Sequence, residues 1–213
     1  MPANMRSMRI GIIGAGSMGH AIARRSALAG AVVLLADRST VRARRVATAA
    51  GRDAPGVVFA STLAAALRSE VIILAVRFPE ALELVLSRSR AFDGKAVVDM
   101  TVPDRSDPPG GGMLQLARAA PDVRWVKAFT TSDAGVLRSG CGSGVAVDVF
   151  VASDDEYAKV AVVELADRSG MRAFDAGGLE NAAVLEGMGR LGREVSERLQ
   201  LNESWGFKFL PSW

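Results

Sequence analysis

The chain of 213 residues holds one cysteine, one histidine and one tyrosine, and aromatic residues make up 6% of it. Cys141 has no partner for an internal disulfide, and one histidine beside one cysteine supplies no cluster of zinc-ligand type or spacing. A reducing compartment and no metal are therefore expected. No apolar run reaches the roughly eighteen residues of a membrane span. The run after the leader "MPANMRSM" is broken by Gly11, Gly14 and Gly16, so a signal peptide is not expected either. These shortages predict a cytoplasmic protein with no membrane partner. Also missing is any dense block of lysine and arginine interleaved with aromatics. The charge of +3 and pI near 9.5 come from arginines scattered along the chain. That argues against nucleic acid as a partner and points to anionic small molecules.

What is present is ordinary in amount and informative in order. A composition of 49% hydrophobic and 23% charged residues in a chain of this length supports a sizeable core. Apolar runs of strand length alternate with stretches of helical period. "RIGII" precedes Met18 to Leu28, "AVVLLA" precedes Val41 to Ala50, "VVFA" precedes Leu63 to Arg68, and "VIILAV" precedes Pro79 to Leu86. "AVVDM", Met113 to Ala119, "VRWVKAF", "VDVFVAS", Glu156 to Ser169 and "MRAFDA" continue the series, and a closing helix is expected from about Leu179 to Leu199. This alternation predicts an α/β fold, a doubly wound, mostly parallel sheet of Rossmann type with a small C-terminal α/β part. Continuous runs such as "VIILAV" suit strands covered on both faces. Near Gly135 the pattern becomes irregular, which divides the chain into a dinucleotide-binding part, residues 1–134, and a smaller substrate or dimerisation part, residues 135–213. The stretch "VPDRSDPPGGG" supports neither helix nor strand and reads as a mobile loop or a plain surface connection.

The chemistry concentrates in "RIGIIGAGSMGHAIARRSALAGAVVLLADRST". Gly14, Gly16 and Gly19 form GxGxxG between a strand and a helix. In that setting Gly14 makes the tight turn, Gly16 lets backbone approach a pyrophosphate, and Gly19 lets helix and strand pack closely. The N–H groups around Ala15, Ser17 and Met18 then face the phosphates at the positive end of the helix. The second strand ends at Asp37, where this motif places the reader of the adenosine ribose. An acid there favours NAD. Arg38 favours NADP, because a guanidinium can take a 2′-phosphate bidentately, with Ser39 adding a hydroxyl and Arg42 local positive potential. The plainer alternatives are a turn acid, Ser39 as a helix N-cap, and a solvated arginine face. His20 and Cys141 read as ordinary surface positions.

The stretches "IGIIGAGSMGHAIARR", "VIILAV", "GKAVVDMTVP", "VRWVKAF", "GGLENAAVLEGMGRL" and "GFKFL", in this order, resemble the NADP oxidoreductases dependent on the deazaflavin coenzyme F420 and their bacterial relatives. The resemblance covers nearly the whole chain. It implies a homodimer that passes hydride between NADP(H) and a deazaflavin in a cleft between its two parts, work that requires no nucleophile or metal. It also assigns Ala75, Val76 and Arg77 to the cofactor site and Thr101, Val102, Phe129 and Thr130 to the substrate cleft, while no residue is given a catalytic role. Three positions depart from the family pattern. Arg77 stands where a proline is usual, Val102 replaces an asparagine, and Thr130 replaces another. All three fall at the carboxyl ends of strands, where ligands of open α/β sheets bind. They predict ordinary NADP(H) binding with slow or absent transfer to the deazaflavin. A reductase of another small acceptor, such as an imine, carbonyl or quinone, and a non-catalytic NADP(H)-binding module remain open at this point.

Overall fold

The computed structural model describes residues 8–104, 112–202 and 204–210. The leader and most of the loop expected over residues 102–112 lie outside the described residues. Strands β1 (Arg9–Ile13), β2 (Val32–Ala36), β3 (Val57–Ser61), β4 (Val71–Leu74), β5 (Ala96–Asp99) and β6 (Arg124–Lys127) form one six-stranded sheet in the order β3-β2-β1-β4-β5-β6. Every neighbouring pair is parallel, with Ile10 of β1 opposite Val33 of β2 and Val71 of β4. This is the doubly wound Rossmann order, in which the direction of strand addition reverses between β1 and β4.

Side chains alternate across each strand and divide the apolar residues into two layers. Ile10, Ile12, Leu35, Ile73 and Val126 belong to one core, and Ile13, Ile72, Leu74, Val97 and Trp125 to the other. All four residues of β4 are buried, as a strand covered on both faces requires. The covering helices are α1 (Ser17–Leu28), α2 (Thr40–Gly51), the single turn α3 (Leu63–Ala66), α4 (Phe78–Arg88) and α5 (Gly112–Ala119). Ser39 and Thr62 accept N–H groups of the first turns of α2 and α3 and start them. Gly30 follows the C-cap residue Ala29 of α1 at φ +87°, a left-handed position that lets the chain turn into β2.

After β6 the chain forms a helix and a hairpin that the irregular sequence pattern did not announce. Helix α6 (Ala134–Ser139) is capped by Asp133, and β7 (Cys141–Gly142) pairs antiparallel with β8 (Val145–Ala146). Helix α6 packs along α1. Strand β9 (Asp148–Val151), helix α7 (Glu156–Arg168) and strand β10 (Arg172–Asp175) make a parallel β-α-β unit. The buried Arg25 of α1 donates to the carbonyls of Arg138 and Ser169, at the ends of α6 and α7, and so fastens this part to the sheet layer. A 3-10 turn over Leu179–Asn181 precedes α8 (Ala182–Leu199), so the closing helix begins three residues later than expected. Among the described residues no helix is long and apolar enough to cross a membrane.

Candidate functional site

The glycine loop lies at the carboxyl end of β1, beside the topological switch point. Gly14 has φ +106°, and a Cβ there would lie 2.3 Å from the Ala75 carbonyl oxygen. A Cβ on Gly19 would lie 1.9 Å from the Gly14 oxygen, so these two glycines are demanded by the fold's own packing. Gly16 differs. Its φ of −75° is open to any residue, and nothing lies within 4 Å of where its Cβ would be. That space belongs to a cavity of about 740 Å³ bordered by Gly14, Gly16, Ser17, Met18, Asp37, Arg38, Arg42, Ala75, Val76, Arg77 and Glu80. A pyrophosphate approaching the N-terminus of α1 would fill the space a side chain at position 16 would take, so the loop fits a dinucleotide.

Asp37 borders this crevice with its side chain 9% exposed, and its carboxylate is heavily engaged. One oxygen accepts the Ala15 N–H at 2.8 Å, and the other accepts the Ser39 N–H at 2.8 Å and the Arg42 guanidinium at 2.9 Å. Burial alone would raise its pKa, but the Ser39 and Ala15 N–H groups and Arg42 outweigh it and hold the carboxyl below the usual range. Asp37 thus ties β2 to the glycine loop, and its charge is met by Arg42. Arg38 instead pairs with Glu80 at 3.1 Å.

A second cavity, of about 1020 Å³, adjoins the first. Ser17, Met18, Val76, Arg77 and Met100 border both. Beyond them the second cavity is lined by Thr101, Val102, Thr130 and Ser132 from the strand ends, by Gly189, Arg193, Ser196 and Glu197 of α8, and by Trp205. Thr101 brings a buried hydroxyl with no hydrogen-bond partner among the described residues. Thr130 turns its hydroxyl to the Leu185 carbonyl at 3.4 Å. Helix α8 is pressed against this wall, because a Cβ on Gly189 would meet the Thr130 carbonyl oxygen at 2.6 Å and one on Gly192 would meet the Trp205 ring at 2.1 Å. The terminal segment is held by backbone bonds between Asp133 and Trp205 and between Phe207 and Thr131.

Beneath this cleft lies a buried charge cluster. Lys127 at the end of β6 reaches Asp99 of β5 at 2.6 Å and Glu186 of α8 at 2.9 Å, and it donates to the Thr101 carbonyl. Glu186 also accepts the N–H groups of Gly112 and Met113. One cation faces two carboxylates, and the positive end of α5 offsets the remaining negative charge. The cluster clamps α5 and α8 to the strand ends that form the cleft.

Of the residues singled out from sequence, Gly14, Gly16, Ser17, Met18, Asp37, Arg38, Arg42, Ala75, Val76 and Arg77 line the first cavity. Ala15, Gly19 and Ser39 stand behind it, acting through the bonds and close packing already described. Thr101, Val102 and Thr130 line the second, whereas Phe129 is 1% exposed and packs in the core at φ +64°. Sequence reasoning did not find Glu80, Glu186, Lys127, Arg193 or Trp205. Two signals were available. A lysine inside an otherwise apolar strand and a glutamate inside the apolar start of α8 require buried partners, and Gly189 and Gly192 inside one helix mark close approach.

A family profile described as NADP oxidoreductase, coenzyme F420-dependent, matches residues 9–103. The F420-dependent NADP reductase of Methanothermobacter marburgensis is 34% identical over 198 residues, covering 84% of this chain and 88% of that protein. The protein of the same name from Methanothermobacter thermautotrophicus is 31% identical over 84% of this chain and 85% of its own length. Among solved structures, a putative F420 dependent NADP-reductase from Arthrobacter sp. FB24 superposes with a TM-score of 0.77 over 98% of this chain and 100% of its own, at 22% identity, a likeness of fold alone. A hypothetical protein from Sinorhizobium meliloti is 27% identical, with a TM-score of 0.70 over 83% of this chain and 88% of its own.

Proposed function

The chain belongs to the family of coenzyme F420-dependent NADP oxidoreductases, and from that premise we propose that its crevice holds NADP(H) and its adjoining cleft a small acceptor, a deazaflavin or a related ring. The observation that carries this reading is the meeting of the two cavities at Ser17, Met18, Val76, Arg77 and Met100, at the carboxyl ends of β1, β4 and β5. Nicotinamide and deazaflavin each carry two electrons as hydride, so the protein's task is to hold two rings together and keep water out. In this reading the Gly14–Gly19 loop receives the pyrophosphate. Arg38 and Arg42 face the adenosine end, where Arg42 also neutralises Asp37 and removes the repulsion that a bare acid would exert on a 2′-phosphate. NADP(H) is thereby preferred over NAD(H). Residues 1–134 supply the cofactor crevice, and residues 135–213 wall the acceptor side through α8 and Trp205.

A second reading, transfer to an acceptor other than the deazaflavin, is favoured by one feature of the cleft. Val102 offers no hydrogen bond, and the Thr130 hydroxyl is turned to α8, so neither supplies the polar edge of the asparagines usual there. Transfer to the deazaflavin is then slow. The test is fluorescence titration with NADPH and NADH, followed by steady-state loss of NADPH absorbance with deazaflavin as acceptor. The expected outcome is tighter binding of NADPH than NADH, by roughly tenfold for one charge-assisted contact, with slow turnover that Val102→Asn raises. Absence of NADPH binding overturns the function. Tighter NADH binding overturns the cofactor preference, and fast turnover by the unmodified protein overturns the argument from the altered cleft. NADPH binding with no acceptor consumed would mark a sensing module.

A further inference from the structure

Glu80 occupies the third position of α4, and one of its oxygens accepts the Arg77 N–H at 3.0 Å, closing the helix start. Its other oxygen holds two guanidinium groups, Arg77 at 2.7 Å and Arg38 at 3.1 Å. These residues come from different strand ends. Arg38 follows β2 and Glu80 follows β4, and β1 with its glycine loop lies between those strands. The Arg38–Glu80 pair therefore spans the switch-point crevice from one wall to the other. The Arg38 side chain is 87% exposed and that of Glu80 25%, so the bridge lies at the solvent edge and can open without unpacking the core.

We infer that Glu80 sets the discrimination between NADP(H) and NAD(H), because its carboxylate occupies the Arg38 guanidinium that a 2′-phosphate would use. This rests on the reading of the crevice as a dinucleotide site. Around this crevice Arg38, Arg42, Arg77 and Arg88 stand against Asp37, Glu80 and Glu83, which leaves one net positive charge for an incoming phosphate of about two negative charges. A nucleotide bearing the 2′-phosphate has to draw Arg38 from Glu80 and come to rest near the displaced carboxylate. A nucleotide without it leaves the bridge in place. Glu80 thus acts as an internal anion that weakens NADP(H) and spares NAD(H). The arginines keep NADP(H) ahead, and Glu80 limits by how much.

The test is calorimetric titration of the unmodified protein and of Glu80→Gln with NADPH and with NADH. Glutamine can still accept the Arg77 N–H, so the helix start is kept while the charge is removed. NADPH affinity should rise about two- to fivefold, the range for loss of one exposed competing ion pair. NADH affinity should stay the same. The gain should shrink in high salt. An unchanged ratio between the two nucleotides, whether both affinities move together or neither moves, overturns the inference and leaves Glu80 as a helix cap. A fall in NADPH affinity alone shows that Glu80 presents Arg38 to the phosphate and likewise overturns it. If the unmodified protein binds neither nucleotide, the dinucleotide reading itself falls, a result distinct from the other two.

Discussion

At the scale of single residues, the three glycines of one motif answer to different constraints. Gly14 and Gly19 are required by backbone atoms of the protein itself, at 2.3 and 1.9 Å from a would-be Cβ, while the protein places nothing near Gly16. A side chain at position 16 therefore costs the fold little and, in the proposed dinucleotide reading, costs the ligand much. Gly16→Val should leave the thermal midpoint within a few degrees and weaken NADPH binding by about tenfold or more, since even one lost charge-assisted phosphate contact contributes on the order of 1.5 kcal/mol or more. Calorimetry on the folded variant checks this, and unchanged affinity would remove the phosphate cradle from the site. Asp37 carries a related lesson. Its position at the end of β2 was legible in the sequence, but its bonds to Ala15, Ser39 and Arg42 make it a brace of the loop, a role that only the side-chain geometry discloses.

At the scale of elements, the C-terminal segment depends on a buried acid. Asp148 of β9 accepts Arg172 at 2.7 Å, Lys208 at 2.6 Å and the Phe209 N–H at 2.7 Å, and Phe209 packs edge-on against Phe174. Burial would raise the Asp148 pKa, but Arg172, Lys208 and the Phe209 N–H together hold it below the ordinary value. A carboxyl with a depressed folded pKa contributes stability that is present above its unfolded value, about 3.9, and is lost as the pH falls through the lower folded value. Acidification from pH 6 to below about 4 should therefore begin to release the segment carrying Trp205 and Phe209. Trp205 packs on Gly192, so its share of the tryptophan emission, followed against pH in a Trp125→Phe, Trp213→Phe background, reads the release. Asp148→Asn should show the loosened emission already at pH 6; identical curves for both proteins would show that the aromatic contacts suffice as an anchor.

At the scale of the whole molecule, two features join parts that are distant in sequence. The first is the Lys127 cluster, wholly buried and shared by β5, β6, α5 and α8. Removing one partner of a buried ion pair leaves uncompensated charge, at a cost of about 3–5 kcal/mol. Lys127→Met should lower the unfolding free energy by about that amount, measured by urea denaturation, because Asp99 and Glu186 would face one another without a cation. A change below about 1 kcal/mol, the range of an exposed pair, would show that α5 alone neutralises the carboxylates. The second feature is a stripe along α8. Val184, Leu191, Val195 and Leu199 are exposed, with Met188 partly so, at the near-helical spacing read from the sequence, and Phe209 and Leu210 are exposed near the end of the described chain. We propose that a second copy covers this stripe. Sedimentation equilibrium should give a dimer at micromolar concentration, and Leu191→Glu should give a monomer; a monomer in the unmodified protein would dismiss the idea.

The doubly wound sheet, the glycine loop and the place of Asp37 and Arg38 were all determined by sequence alone, because each rests on local order. Strand and helix periods repeat within a few residues, and GxGxxG carries its turn within six. The limits of most elements shifted by only a residue or two, as at α1 and α4, and the start of α8 by three, since helix ends are set by capping bonds that short motifs only partly specify. Helix α6 escaped because six residues show too little of a helical period to be distinguished from loop. Tertiary structure alone decided which charges meet. Arg38 finds Glu80 across 42 residues, Lys127 finds Asp99 across 28 and also Glu186, and the last described residues return to Asp133 and Asp148. A chain with 26 basic and 23 acidic residues permits many such pairings. The register of the sheet and the packing of α8 select among them by bringing particular strand ends within about 3 Å of each other's side chains, a distance at which a charged hydrogen bond forms.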